Sequence, residues 1–275
     1  TDYVYAGDLF GNMWKFDLSD KQTKKWEVAG GASAPLFTAT DSSGNPQPIT
    51  AQPTVAIAVG STAPTPGARY VLFGTGSYFR TNDQYDTSTQ SWYGIIDSGS
   101  GPVTRSQLVE RKIDVRTDLN GTTVRTFEKA AVGDMTGKQG WYIDFNLPAD
   151  LGERIVTSSK VYQFNEPVLI ASSIIPVVDP CIPGGRGYIN AVNPYTGGSL
   201  TVNFFDVNDD GAFNDELNNT PIGSFDPGIG MPSEHIIMGN RLVVGGSTGE
   251  VADTLINTGA VKKTGRMSWR EILQE

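Results

Sequence analysis

Short runs of alternating apolar and polar residues, closed by a glycine beside a small or polar neighbour, recur from one end of the 275-residue chain to the other. The first, TDYVYAGDLFGNMWKFDLSD, reads as strand YVYAGD, turn LFGN and strand MWKFDL, the period of a half-buried hairpin. Comparable units follow in PTVAIAVG, RYVLFGTGSYF, SWYGIIDSGSG, GWYIDFN, KVYQFNEPVLIASSII, GYINAVNPYTGGSL and RLVVGGSTGEV. No strong helical period separates them, and 32 glycines and 16 prolines favour turns over helices. Many strands without helices imply a closed or radial all-β architecture, with a β-sandwich as the alternative. Division of the 275 residues into seven blades gives about 39 residues each, close to the repeat of common propellers. We therefore expect one all-β domain over 1–275, with the Ser-, Thr-, Gly- and Pro-rich segments 41–67 and 98–125 as long loops.

Charge narrows the partners. A formal net charge of −9 opposes wrapping nucleic acid, which needs clustered Lys and Arg, and suits a divalent cation. No run reaches the roughly 18 apolar residues of a membrane span, and VLIASSII at 168–175 reads as a buried strand. The chain opens on Thr1 directly in a strand pattern, so it reads as a fragment of a longer polypeptide whose N-terminal region is absent. The single cysteine, Cys181, has no internal disulfide partner and reads as a small buried hydrophobe or as the partner of a cysteine elsewhere.

In order along the chain, YVYAGDLFGNMWKFDL, VLFGTGSYF followed by SWYGIID, DPCIPGGRGYINAVNPYTGG, the acidic stretch FDVNDDGAFNDE and GRMSWREI resemble the C-terminal domain of the PilC/PilY family. These are bacterial type IV pilus biogenesis factors and tip-associated adhesins. The resemblance spans nearly the whole chain and implies a modified seven-bladed β-propeller. It also implies a place at the bacterial surface, outer membrane or pilus tip, and contacts with minor pilins or other pilus components and with a host-cell receptor. The implied roles are pilus biogenesis, opposition to retraction, twitching motility and adhesion. A scaffold of the pilus-tip complex with an ion-stapled loop is the rival expectation.

The acidic stretch crowds five carboxylates into the eleven residues from Asp206 to Glu216. With Asp206 as position 1, side-chain oxygens fall at Asp206, Asn208, Asp210 and Asn214, and Gly211 occupies position 6. That is the D-x-[DN]-x-[DN]-G pattern of a Ca²⁺ loop, whose ion takes six to eight oxygens from alternate residues of a tight turn. The carbonyl of Ala212 supplies position 7. Leu217 stands where an EF-hand places its bidentate Glu, and no amphipathic helix flanks the loop. The family's calcium loop uses positions 1, 3, 5, 7 and 9, which the resemblance carries onto Asp206, Asn208, Asp210, Ala212 and Asn214. The alternative is a solvated acidic turn. Asp2 stands where the last ligand of a second loop would fall, or is an ordinary strand-edge carboxylate.

The remaining candidates read as structural. Asp8 and Asp17 suit a hairpin turn and a strand end, and His235 a turn or strand edge. Arg186 lies in a GGRG stretch that reads as a flexible connection. Trp269 in GRMSWREI would be a packing anchor. Quinone-dependent dehydrogenases are also propellers beside a calcium ion, but one cysteine and five tryptophans without repeat spacing argue against an enzyme.

Overall fold

The computed structural model describes residues 2–29, 34–59, 64–99, 101–177 and 184–259. Cys181 and the 265–272 stretch with Trp269 lie outside the described residues. The described chain is all-β, with four three-residue 3₁₀ turns and twenty strands. The first sheet holds β1 (Tyr3–Gly7), β2 (Asn12–Asp17), β3 (Glu27–Val28) and β4 (Phe37–Thr38). A second runs in the order β5 (Thr54–Ile57), β6 (Arg69–Gly74), β7 (Gln90–Ile96), β11 (Gly140–Phe145), β8 (Val109–Arg111). Six strands make the third: β12 (Lys160–Gln163), β13 (Pro167–Ile175), β14 (Arg186–Val192), β17 (Ser224–Phe225), β10 (Thr122–Phe127) and β9 (Ile113–Leu119). A two-stranded ribbon, β15 (Glu216–Leu217) with β16 (Thr220–Pro221), and a final meander, β18 (Ile236–Met238), β19 (Arg241–Gly245) and β20 (Val251–Leu255), complete it.

Successive sheets share cores because alternate residues of a strand point to opposite faces. In β6, Tyr70 and Leu72 pack toward the six-stranded sheet with Trp92 and Trp141, whereas Val71 and Phe73 pack toward the first sheet with Met13 and Phe37. Leu169 and Ala171 of β13 join the former cluster, and Val168 and Ile170 join a third that includes Leu242 and Val244 of the last meander. Strands buried on both faces read as continuous apolar runs, which is why VLIASSII is β13.

The described strands form five sheets of unequal size, because β9, β10 and β17 merge with the β12–β14 meander into one sheet. One expectation changes. Half of the expected 98–125 loop is strand: β8, β9 and the start of β10 lie within it. Asn120 and Gly121 both take positive φ, 53° and 92°, at the tight turn of the β9–β10 hairpin. An Asn-Gly pair followed by the β-branched run Thr122, Thr123 and Val124 outweighs the loop-like composition around it.

The 8–12 and 41–45 turns are copies of one device, D-x-x-G-N. In each, the Asp carboxylate accepts the Asn main-chain N–H at 2.9 Å. The Asn side-chain amide also donates to it, at 3.0 Å in the first turn and 2.8 Å in the second. Asp8 additionally accepts from Trp14 Nε1 at 2.9 Å, tying the first turn to its own strand.

Candidate metal centre

Between β14 and β15 the chain passes through a buried aromatic pair, Phe204 and Phe205, before the acidic loop begins. Phe205 bridges Ile256. The Asp206 N–H donates to Leu255 O at 3.0 Å, and Thr254 Oγ1 donates to Asp206 O at 2.7 Å. Position 1 is thus pinned by main chain to the end of β20, and its side chain is buried although the residues after it are exposed.

The loop then folds around the Asp206 carboxylate. Its Oδ1 accepts Asp210 N–H at 3.2 Å and its Oδ2 accepts Gly211 N–H at 2.9 Å. Asn208 Oδ1 accepts Asp210 N–H at 3.0 Å, and Asp210 Oδ1 accepts Ala212 N–H at 2.8 Å. Asp209 and Gly211 sit at φ 55° and 80°, the left-handed conformations that close so short a loop. Buried Asp215 closes it from the far side, its Oδ2 accepting Val207 N–H at 2.7 Å. The structure thereby brings Asp206, Asn208 and Asp210 into one hydrogen-bonded turn. Ala212 and Asn214 follow on its rim, with the Ala212 carbonyl and the Asn214 amide engaged by no protein group among the described residues.

The donor set suits a hard cation. All five positions offer oxygen, each carboxylate oxygen keeps a lone pair beyond its amide hydrogen bond, and no soft ligand intrudes. None of the five carboxylates pairs with Lys or Arg among the described residues. The loop borders a groove of ≈ 1170 Å³, to which it contributes Phe213 and Glu216. Phe213 O accepts from the Asn203 amide at 3.3 Å.

The other sequence candidates are structural parts. Asp17 ends β2 and accepts Ser19 N–H at 2.9 Å, and Asp2 O accepts Leu18 N–H at 2.8 Å. Arg186 is not in a flexible connection: it opens β14 and pairs with Asp150 at 2.8 Å. His235 precedes β18 as a strand-edge residue would, yet it is fully buried.

Sequence reasoning missed a buried ionic network. Arg125 donates to Glu153, to Asn190 Oδ1 at 2.8 Å and to Ser224 Oγ at 3.1 Å, and its guanidinium lies 3.5 Å from the Tyr188 ring centroid. Asp150, 1 % exposed, pairs with Arg116 at 2.9 Å and with Arg186. The only trace in the sequence is an arginine set among β-branched and aromatic residues, TTVRTF.

The described chain is all-β with sheets packed face to face through shared cores, as the blades of a β-propeller are, and residues 1–123 match the family model of the PilY1 beta-propeller domain. A type IV pilus biogenesis factor PilY1 homolog of Xylella fastidiosa is 36% identical over 280 residues, spanning 100% of this chain and 21% of that protein. Type IV pilus biogenesis factor PilY1 of Pseudomonas aeruginosa is 34% identical over 242 residues, 75% of this chain and 20% of that protein. The crystal structure of the Pseudomonas aeruginosa PilY1 C-terminal domain superposes with a TM-score of 0.72 and 27% identity, over 94% of this chain and 57% of that one. The chain belongs to the PilC/PilY family, of which it resembles the C-terminal domain. It spans about a fifth of the length of the curated relatives it matches.

Proposed function

We propose that this domain serves type IV pilus biogenesis at the bacterial surface and that its 206–216 loop binds Ca²⁺. The supporting observation is the loop itself: five carboxylates without a cationic partner among the described residues, wound around Asp206 in a chain similar along its whole length to a pilus biogenesis factor. Asp206, Asn208, Asp210, the carbonyl of Ala212 and Asn214 would hold the ion. Its charge would relieve the mutual repulsion of the carboxylates and order the turn. With two carboxylate ligands and no bidentate Glu, affinity falls at the weaker end of calcium loops, Kd about 10⁻⁵ to 10⁻³ M.

In this reading the calcium-loaded domain supports extended pili and opposes retraction, and so contributes to twitching motility and adhesion to host cells or surfaces. Minor pilins or other pilus components are its partners, with a host receptor for the adhesive role. The tether from Asp206 to β20 favours a second reading, in which the ion only staples the loop of a pilus-tip scaffold. Calcium titration by calorimetry on this chain beside Asp210→Ala tests the site: one saturable site lost in the variant supports it, and no heat at millimolar calcium removes it. Asp206→Ala in cells then separates the roles. A switch changes piliation or twitching at unchanged protein level, whereas a staple first lowers abundance.

A further inference from the structure

His235 is the only histidine of the chain and is 0 % exposed. It stands at the seam between the last meander and the six-stranded sheet. Its Nε2 lies 3.3 Å from Tyr162 Oη, its ring centroid 5.9 Å from that of Tyr162, and its carbonyl accepts from Lys160 Nζ at 3.3 Å. The neighbouring Glu234 pairs with the same Lys160 at 2.5 Å. Nδ1 has no hydrogen-bond partner among the described residues.

A neutral imidazole tolerates this arrangement. With the proton on Nε2, donated to Tyr162 Oη, only an acceptor lone pair is left unpaired. An imidazolium must donate from both nitrogens, and Nδ1–H would then be a buried charged donor facing no acceptor. Burial opposes the charge most, the Lys160 ammonium opposes it further, and Glu234 offsets only part, so the imidazole is held down to about 4. Lys160 and Tyr162 from β12, and Glu234 from the histidine's own segment, are the titratable groups that face it.

We propose that His235 is an acid-sensitive latch: neutral, it docks the β18–β20 meander onto β12, and protonated, it releases the meander and with it the base of the acidic loop. The connection to the loop runs through paired strands and hydrogen bonds. β19 pairs with both β18 and β20, and the end of β20 holds Asp206 through Leu255 O and Thr254 Oγ1. The proposal does not rest on a bound cation, because it concerns the protein contacts on which the loop is built.

The sign follows from linkage. A histidine whose folded pKa lies below its unfolded value of 6.5 contributes stability present above 6.5 and lost as pH falls toward about 4. Opening of the meander that frees His235 should therefore rise about 30-fold between pH 7.5 and pH 5.

The test uses the 275-residue chain in chelator, so that its outcome is separate from calcium binding. Because there is one histidine, a single imidazole resonance reports its titration by NMR. We expect it to stay neutral in the folded protein down to pH 5; a midpoint near 6.5 would overturn the latch. Hydrogen exchange, corrected for intrinsic rates, should show the amides of β18–β20 opening about 30-fold more at pH 5 than at pH 7.5, with β6 and β7 unchanged. His235→Gln should abolish that ratio. Equal pH response in wild type and variant, or an equal response in every sheet, also defeats the proposal. If the variant does not fold, the resonance and exchange of the native chain still decide it.

Discussion

Arg125 grips Glu153 through two hydrogen bonds, of 2.6 and 2.8 Å, and neither side chain is exposed to solvent. The fork of a guanidinium matches a carboxylate, and Ser173 Oγ adds a third bond to Glu153 at 2.5 Å. Removing one partner leaves the other charged and buried. Glu153→Ala should cost about 3–5 kcal/mol, and replacement of both by apolar residues of similar volume much less. Urea unfolding of the two variants checks the difference.

Arg154 organises a surface loop from beneath. Its guanidinium, 1 % exposed, donates to Gly152 O at 2.8 Å, Ser77 O at 2.9 Å, Asp83 O at 2.8 Å and Asp86 O. Arg154→Met would leave these carbonyls without donors and should destabilise by about 2–4 kcal/mol. Limited proteolysis should then cut first within residues 77–86, where Tyr78, Phe79 and Tyr85 stand exposed. Cleavage elsewhere at the same rate would contradict this role for the arginine.

Asp97 and Asp226 should respond to acid with opposite signs. Burial raises the pKa of Asp97, but hydrogen bonds from Lys15, Tyr5 and Arg69 outweigh it and hold the carboxyl below its ordinary value. A depressed folded pKa gives stability that is present above the unfolded pKa and lost as pH falls through the folded one. Asp97→Asn should accordingly lower Tm at pH 7, with the loss shrinking in acid.

At Asp226, burial and the nearby Asp150 raise the pKa despite the Gly228 N–H and Arg186. Its ionised form is the less stable one in the fold, so wild-type stability falls as pH rises through the folded value. Asp226→Asn keeps an acceptor for Gly228 N–H, at 2.9 Å in the native chain, and should raise Tm at pH 7. The gain should vanish below the carboxylate range.

Gly94 faces Trp141 so closely that a Cβ there would stand 2.4 Å from the indole nitrogen. That nitrogen donates to Pro194 O at 2.9 Å, so the fully buried indole cannot shift without breaking this bond. Gly94→Ala should cost about 1–3 kcal/mol through overpacking, read as a lower urea midpoint.

The all-β class and most strands were legible because period-two alternation and glycine-bounded turns are local signals, as in YVYAGD, RYVLFG and SWYGII. The spacing of Asp206, Asn208, Asp210 and Gly211 was legible for the same reason: one turn of contiguous chain holds all four. The pairing of β10 with β17, about a hundred residues apart, was not, since nothing local announces which sheet a strand will join. Arg125 and Glu153 were hidden likewise, each being unremarkable until the fold places them together. The strand-edge place of His235 was legible but its burial was not, because β12, which packs against it, lies far from it in sequence.

The acidic loop is entered from a buried Phe pair and left through a two-residue strand, with no helix on either side. A helix–loop–helix site converts ion binding into the swing of a lever arm. Here there is no arm to swing. Any message from a cation at Asp206 would leave through the hydrogen bonds to Leu255 and Thr254, as a change in stiffness rather than in shape.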